Sequence, residues 1–289
     1  MNFISSVFGY ILDFIYEFVK NYGVAITLFS ILLKLILLPL SIRQQKTMKK
    51  TTKLQEESKK IQDKYKNDAN KANMEIMELY KREHLNPLSG CLSSILQIFI
   101  ILAMFYLVRS PLTFMKKIDS DKIKAYESKI IEEQGEEAVS QSYPEISIIK
   151  NINKQIDENN NEEDSELNEM YINMNFLGLD LSDIPKENYK NVKVYIIPLL
   201  YVLTTFISIK ITSKMTNGEK NNENKENAED MATQMNKNMS LFIPITSVMI
   251  SLVAPLGLAL YWLVNNILMI IERIFIVKVL NSKEELQNE

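Results

Sequence analysis

Residues 24–42, VAITLFSILLKLILLPLSI, form a run of 19 residues in which every side chain but one is uncharged. A membrane-crossing helix needs about 20 mostly apolar residues, so the stretch is long enough to span a bilayer. The exception is Lys34, near the middle, where a lysine costs roughly 2.5–3.5 kcal/mol on insertion scales. Working outward, the same separation of charge from apolar sequence recurs along the chain. Charges crowd into 43–85, 116–190 and the residues from 272 onward, whereas 88–108 and 239–271 carry none. A mean hydropathy close to zero therefore hides a segregated chain. This is the pattern of a polytopic membrane protein.

Span 1 is expected at 24–42, span 2 at 88–108 and span 3 at 193–210. The last apolar stretch, 239–271, has 33 residues, about 50 Å of helix, too long for one crossing and short for two. Pro255 and Gly257 can turn the chain there, which predicts span 4 at 239–254 and span 5 at 257–271. Two helices that short would mismatch a bilayer of about 30 Å and thin it locally. The expected fold class is all-α, with five transmembrane helices.

Short loops rich in Lys and Arg stay in the cytoplasm. Residues 43–85 carry 12 Lys plus Arg against 7 Asp plus Glu, and 109–191 carry 10 against 18. The first loop is therefore expected inside the cell and the second outside, with the N-terminus outside and the tail 272–289 in the cytoplasm. The start lacks a basic leader and a small-residue cleavage site, so no secretory signal is expected. Its residues 3–20 place Phe3, Val7, Phe14 and Phe18 at helical spacing opposite Asp13 and Glu17. This predicts an amphipathic helix in the membrane interface, the other reading being a sixth span.

Good helix formers on both sides of the turn residues KNDAN predict a helical hairpin over 43–85. Its Leu54, Ile61, Met74, Met77 and Tyr80 are too few for a strong coiled coil, so loose pairing is expected. Residues 119–170 read as an acidic, partly disordered insertion in the outer loop. Within the loop 211–238, residues 217–230 read as a flexible connector.

Every span has a polar face. Thr27, Ser30 and Lys34 follow each other at spacings of three and four; span 2 offers Gly90, Ser93 and Gln97. Span 3 offers Tyr201, Thr204, Thr205 and Ser208, and the last stretch Thr246, Ser247, Ser251, Asn265 and Asn266. Such faces need water or one another, and for any single hydroxyl ordinary helix packing is sufficient reason. Lys34 is different. No Asp or Glu lies inside an expected span, so an intramembrane ion pair is excluded by inventory. Its ammonium must deprotonate, snorkel to a surface, or face a hydrated cavity that would favour acidic or polar guests.

The remaining inventory excludes much. His84 is the only histidine and Cys91 the only cysteine, so neither a metal site nor an intrachain disulfide is expected. Tyr261 and Trp262 suit interface anchors as well as guest contacts. A net charge of −3 gives no bulk basic character for nucleic acid. There is no phosphate-binding loop, no HExxH and no nucleophile with a base, so catalysis, nucleotide hydrolysis and cofactors are not expected.

Four strings, taken together and in order, resemble the YidC/Oxa/Alb family of membrane protein insertases. They are YGVAITLFSILLKLILLPLSIRQ from Tyr22, ELYKREHLNPLSGCLSSILQIFI from Glu78, FLGLDLSD from Phe176 and PLGLALYWLVNNILMIIER from Pro255. NPLSGC at 86–91 is the most specific. The resemblance implies five helices around a hydrophilic groove open to cytoplasm and lipid, with a cytoplasmic hairpin and an interfacial helix. It is to the short members found in single-membrane bacteria. It implies a groove cation at Lys34, where most bacterial relatives carry arginine, with Ser30 and Trp262 beside the path of the inserting segment; the polar faces read from the residues add Thr27, Ser93, Gln97, Thr204, Thr205, Ser208 and Asn265 as expected groove side chains. The implied activity is insertion of newly made hydrophobic segments into the cytoplasmic membrane. Nascent membrane proteins and lipid are the implied partners, with the ribosome and a Sec-type translocon as further candidates. No specific nucleic acid or small-molecule ligand is expected. The competing readings are a small anion transporter or channel that uses Lys34, and a scaffold whose hairpin docks a partner.

Overall fold

The computed structural model describes residues 2–83, 89–159, 165–216 and 249–288. They are mostly helical, as the apolar runs require. Helices α1 (Asn2–Val19), α2 (Tyr22–Lys64), α3 (Ala69–Arg82) and α4 (Ser89–Arg109) lead into short α5 (Pro111–Phe114). Then come α6 (Ser120–Gln134), α7 (Pro144–Asn159), α8 (Ser165–Met170), a two-stranded hairpin β1 (Asn175–Phe176) and β2 (Leu179–Asp180), α9 (Ile196–Thr216) and α10 (Leu256–Asn288). Among the described residues, four segments are long and apolar enough to cross a membrane: Asn2–Val19, Tyr22–Thr47, Val192–Ile211 and Leu256–Ile276. The chain is thus an all-α membrane protein in its helical architecture. Span 4, expected at 239–254, lies largely outside the described residues; of it, residues 249–253 are helical.

The chain divides into two compact units, Met1–Leu33 with Leu102–Ile271, and Lys34–Ile101 with Glu272–Glu289. The first holds the large apolar core, including Leu12, Ile26, Phe29, Met104, Leu107, Ile149, Leu181 and Tyr261. Helix α1 buries Ser5, Gly9, Leu12 and Tyr16, a stripe at spacings of four, three and four, and exposes Phe3, Phe14 and Phe18. The approach is close. A Cβ on Gly9 would stand 1.9 Å from the Phe114 carbonyl oxygen, and Ser5 Oγ donates to the Ala103 carbonyl at 3.1 Å. Asp13 and Glu17, the residues that argued against burial of this helix in hydrocarbon, both meet Lys116, at 3.1 and 2.9 Å.

The acidic insertion is where expectation and structure part. Expected to be partly disordered, residues 119–159 and 165–170 are predominantly helical and share the core, while 160–164 lie outside the described residues. Composition misled because the acidic side chains are interleaved with apolar ones at helical spacing. Ile146, Ile149, Ile152 and Ile156 line one face of α7, and Ile123 and Ile130 one face of α6. The connection also holds by polar contacts. Glu145 accepts from the Thr113 backbone N–H at 3.0 Å and from its hydroxyl at 2.7 Å. Burial pushes the Glu145 carboxyl above the ordinary glutamate value, against the lowering effect of those bonds.

FLGLDLSD forms the β1–β2 hairpin, with Leu177 (φ 53°) and Gly178 (φ 78°) both left-handed at the two turn positions. The segment that follows receives the start of α10. Leu256 N–H donates to the Asp183 carbonyl and Gly257 N–H to the Leu181 carbonyl, each at 2.9 Å, satisfying donors that a helix cannot satisfy internally. Pro255 does break the chain there as expected. The helix beyond it, however, does not stop at 271. It runs unbroken to Asn288, and its 21-residue apolar part is about 31 Å long. The helix of the expected span 5 thus continues past 271, and the stretch of it long and apolar enough to cross a membrane is Leu256–Ile276.

In the second unit, α2 carries its helix straight past residue 42 to Lys64 with Pro39 inside it. The turn sits at the expected place: Asp68 caps α3 by accepting from Lys71 N–H at 3.0 Å. Leu54, Ala72 and Leu79 are buried in the hairpin, and Tyr65 donates to Glu75 at 3.2 Å. Of the expected contact residues, Met74 and Met77 are instead 67% and 64% exposed. Ala72 and Leu79, seven residues apart and so on one face of α3, are the buried positions of that helix.

Candidate polar sites in the membrane helices

Lys34 has a partner. Its Nζ donates to Glu272 Oε2 at 2.9 Å, with the two side chains only 19% and 11% exposed. Both residues lie within segments long and apolar enough to cross a membrane, Tyr22–Thr47 and Leu256–Ile276. The inventory of charges within the expected spans misses this pair because span 5 is expected to end at 271, one residue before Glu272, whereas the helix continues. A signal was present: Glu272 follows Asn265 by seven residues, which puts it on the same helical face. The pair is incomplete, since Glu272 Oε1 is buried with no hydrogen-bond partner among the described residues.

In the first unit the polar residues of α9 and α10 satisfy one another. Asn266 Nδ2 donates to Thr204 Oγ1 at 3.2 Å and to Thr205 Oγ1 at 3.0 Å, and Thr204 Oγ1 donates to the Tyr201 carbonyl at 3.0 Å. Thr205, Ser208 and Asn266 are buried; Asn265, the neighbour singled out from sequence, is half-buried. Tyr201 and Trp262 lie with ring centroids 6.1 Å apart, adding an aromatic contact between the same helices. Thr27 and Ser30 turn inward on their own helix, donating to the carbonyls of Gly23 at 2.8 Å and Ile26 at 2.7 Å. Ser93 and Gln97 are on α4, but their side chains lie outside the described residues, as do those of His84 and Cys91.

An open cavity of about 360 Å³ lies in the first unit between the β1–β2 turn, Lys193, Leu200 and Leu263. None of the residues expected to receive substrate lines it. No group of His, Cys, Asp and Glu that could hold a metal ion occurs among the described residues.

Comparison with known proteins gives a consistent result. Residues 14–284 match the family model described as 60Kd inner membrane protein. The chain is 27% identical over 277 residues to the membrane protein insertase YidC of Fusobacterium nucleatum, covering 96% of both chains. It is 26% identical over 273 residues to the membrane protein insertase YidC of Geobacter metallireducens, covering 94% of this chain and 36% of that one. Over 107 residues it is 38% identical to the protein of the same name from Caldanaerobacter subterraneus, covering 37% and 52%.

Proposed function

Because the chain belongs to the 60Kd inner membrane protein family, the YidC/Oxa/Alb family that its four motifs resemble, we propose that Lys34 receives the acidic or polar flank of each segment it inserts. Members of the family are membrane protein insertases and not enzymes, and family membership together with the apolar helices makes this a multi-pass protein of the cytoplasmic membrane that acts on newly made membrane proteins. The match over residues 14–284 is the observation that carries the insertase reading. An anion transporter has no comparable support.

The mechanism we infer has three steps. The hairpin 43–85, with its excess of positive charge and with the N-terminus outside, meets the nascent chain or ribosome in the cytoplasm. The polar flank of the substrate is then relieved of part of its desolvation cost, its carboxylates by Lys34 and its backbone by hydroxyls and amides. Thr27, Ser30, Ser93, Gln97, Thr204, Thr205, Ser208 and Asn265, with Trp262 for apolar contact, are proposed for this second role. Their shared helical faces and the family resemblance support it. Thr204 and Thr205 would exchange an interhelical partner, Asn266, for a substrate group of similar polarity. The apolar part of the segment then partitions into lipid by the hydrophobic effect, without nucleotide hydrolysis.

The test is complementation of a bacterium depleted of its own insertase. The readout is the protease accessibility of a single-span substrate with an acidic outer tail. Wild type and Lys34→Arg should translocate the tail, and Lys34→Leu should accumulate but fail. Equal rescue by all three would remove Lys34 from the mechanism, and rescue by none would sink the insertase reading.

A further inference from the structure

We propose that Glu272 is a specificity-determining residue: it is the resting counter-ion of Lys34, and an incoming substrate carboxylate must take its place. The inference rests on the insertase reading above and adds to it the means by which substrates are sorted. Its basis is the pair itself, Nζ to Oε2 at 2.9 Å between side chains that are mostly buried within apolar helical segments. An ammonium at that depth is costly when alone, and a carboxylate beside it offsets much of the cost. Between insertion events Glu272 supplies that carboxylate.

The same contact makes Glu272 a competitor for the substrate. A carboxylate on the flank of a nascent segment offers Lys34 the bond that Glu272 offers, so the exchange replaces like with like. A neutral flank offers no charge and leaves the pair closed. The pair is also poorly locked: one lysine hydrogen bond holds Glu272, and its second oxygen has no partner among the described residues. A carboxylate held through one oxygen is easier to displace than one held bidentately, which is what an arginine at position 34 would permit. The apparent affinity for an acidic flank is therefore lowered by the fraction of time Lys34 spends on Glu272.

The experiment uses the full-length protein in the depleted bacterium, with two substrates that differ only in whether their outer tails carry Asp and Glu or Asn and Gln. Glu272→Gln keeps the shape and removes the competing charge. The expected result is a rise of roughly threefold or more in the ratio of acidic-tail to neutral-tail insertion. If Glu272→Gln does not accumulate, Glu272→Asp, which keeps the charge and retracts it by one methylene, is read by the same ratio and should move it in the same direction. An unchanged ratio in whichever variant accumulates overturns the proposal, as does an equal loss of both substrates, which would make Glu272 structural. The Lys34→Leu arm separates the two levels. If it leaves acidic-tail insertion intact, the role of Lys34 is wrong; if it abolishes that insertion while the Glu272 variants leave the ratio alone, only the competitor role is wrong.

Discussion

Among the described lysines that carboxylates hold, the two most enclosed are Lys116 in the first unit and Lys34 in the second, and they are held differently. Lys116, in the first unit, is 14% exposed and lies between Asp13 and Glu17, with its ammonium 4.9 Å from the centroid of the Tyr16 ring. Burial opposes its charge, but the bonds to Glu17 and Asp13 outweigh that and hold its pKa above the ordinary lysine value. Lys34, in the second unit, is comparably enclosed yet has a single carboxylate through a single oxygen. A cation with two partners and an aromatic face beside it is a fastening. A cation with one partner, itself incompletely bonded, can change partners. If Lys34 is the working charge proposed above, what separates it from Lys116 is the number of bonds that must break and not burial.

The largest expected effect is at the fastening. Lys116→Met should leave Asp13 without its lysine partner and Glu17 with Lys20 alone, and should lower stability by about 1–3 kcal/mol, discounted from fully buried pairs because Glu17 is half exposed and keeps one cation. Thermal unfolding in detergent would check this, and insertion should fall alike for acidic and neutral substrates. If Lys116→Met instead discriminated between substrates, the contrast drawn between the two lysines would break.

A smaller effect is expected at the exchangeable pair. In a cycle of Lys34→Leu, Glu272→Gln and the double variant, the coupling energy should be about 0.5–2 kcal/mol, and the double variant should be more stable than Lys34→Leu, which leaves a buried carboxylate unpaired. Additivity would mean that the two side chains are not paired in the membrane. A coupling larger than that lost at Lys116 would mean that the pair at 34 is the more tightly fastened of the two.

The smallest effect tests whether the acidic insertion is truly part of the core. Glu145 has its carboxyl raised by burial, so the folded state binds its proton more tightly than the unfolded chain does. Its contribution is fully present below the ordinary glutamate value and is lost as pH rises through the raised one. Stability should therefore decline across that window, and Glu145→Gln should flatten the decline. A wild-type profile that is already flat there would place Glu145 in solvent and the 110–159 segment outside the core.

Much of this was legible in the sequence, and what was not has a common cause. The apolar runs anticipated the helices at Tyr22–Thr47, Val192–Ile211 and Leu256–Ile276, which are long and apolar enough to cross a membrane, because apolar length is a property of one segment, whatever its neighbours do. The hairpin turn at Asp68 and the break at Pro255 were legible for the same reason, since capping and the missing proline N–H act within a few residues. Lys34 stood out as a charge that needed an answer. The answer, Glu272, lies 238 residues away in sequence, and only the fold could bring it there. The folded character of 119–159 was hidden because mean acidity measures composition, while the core uses the position of each isoleucine around its helix. The same holds for Asn266, which only packing could distinguish from Asn265 as the donor to Thr204 and Thr205. What one segment does with solvent or lipid is thus decided by its own residues, while which polar group satisfies which is decided by tertiary structure, because hydrogen bonds and ion pairs act over about 3 Å and are indifferent to distance along the chain.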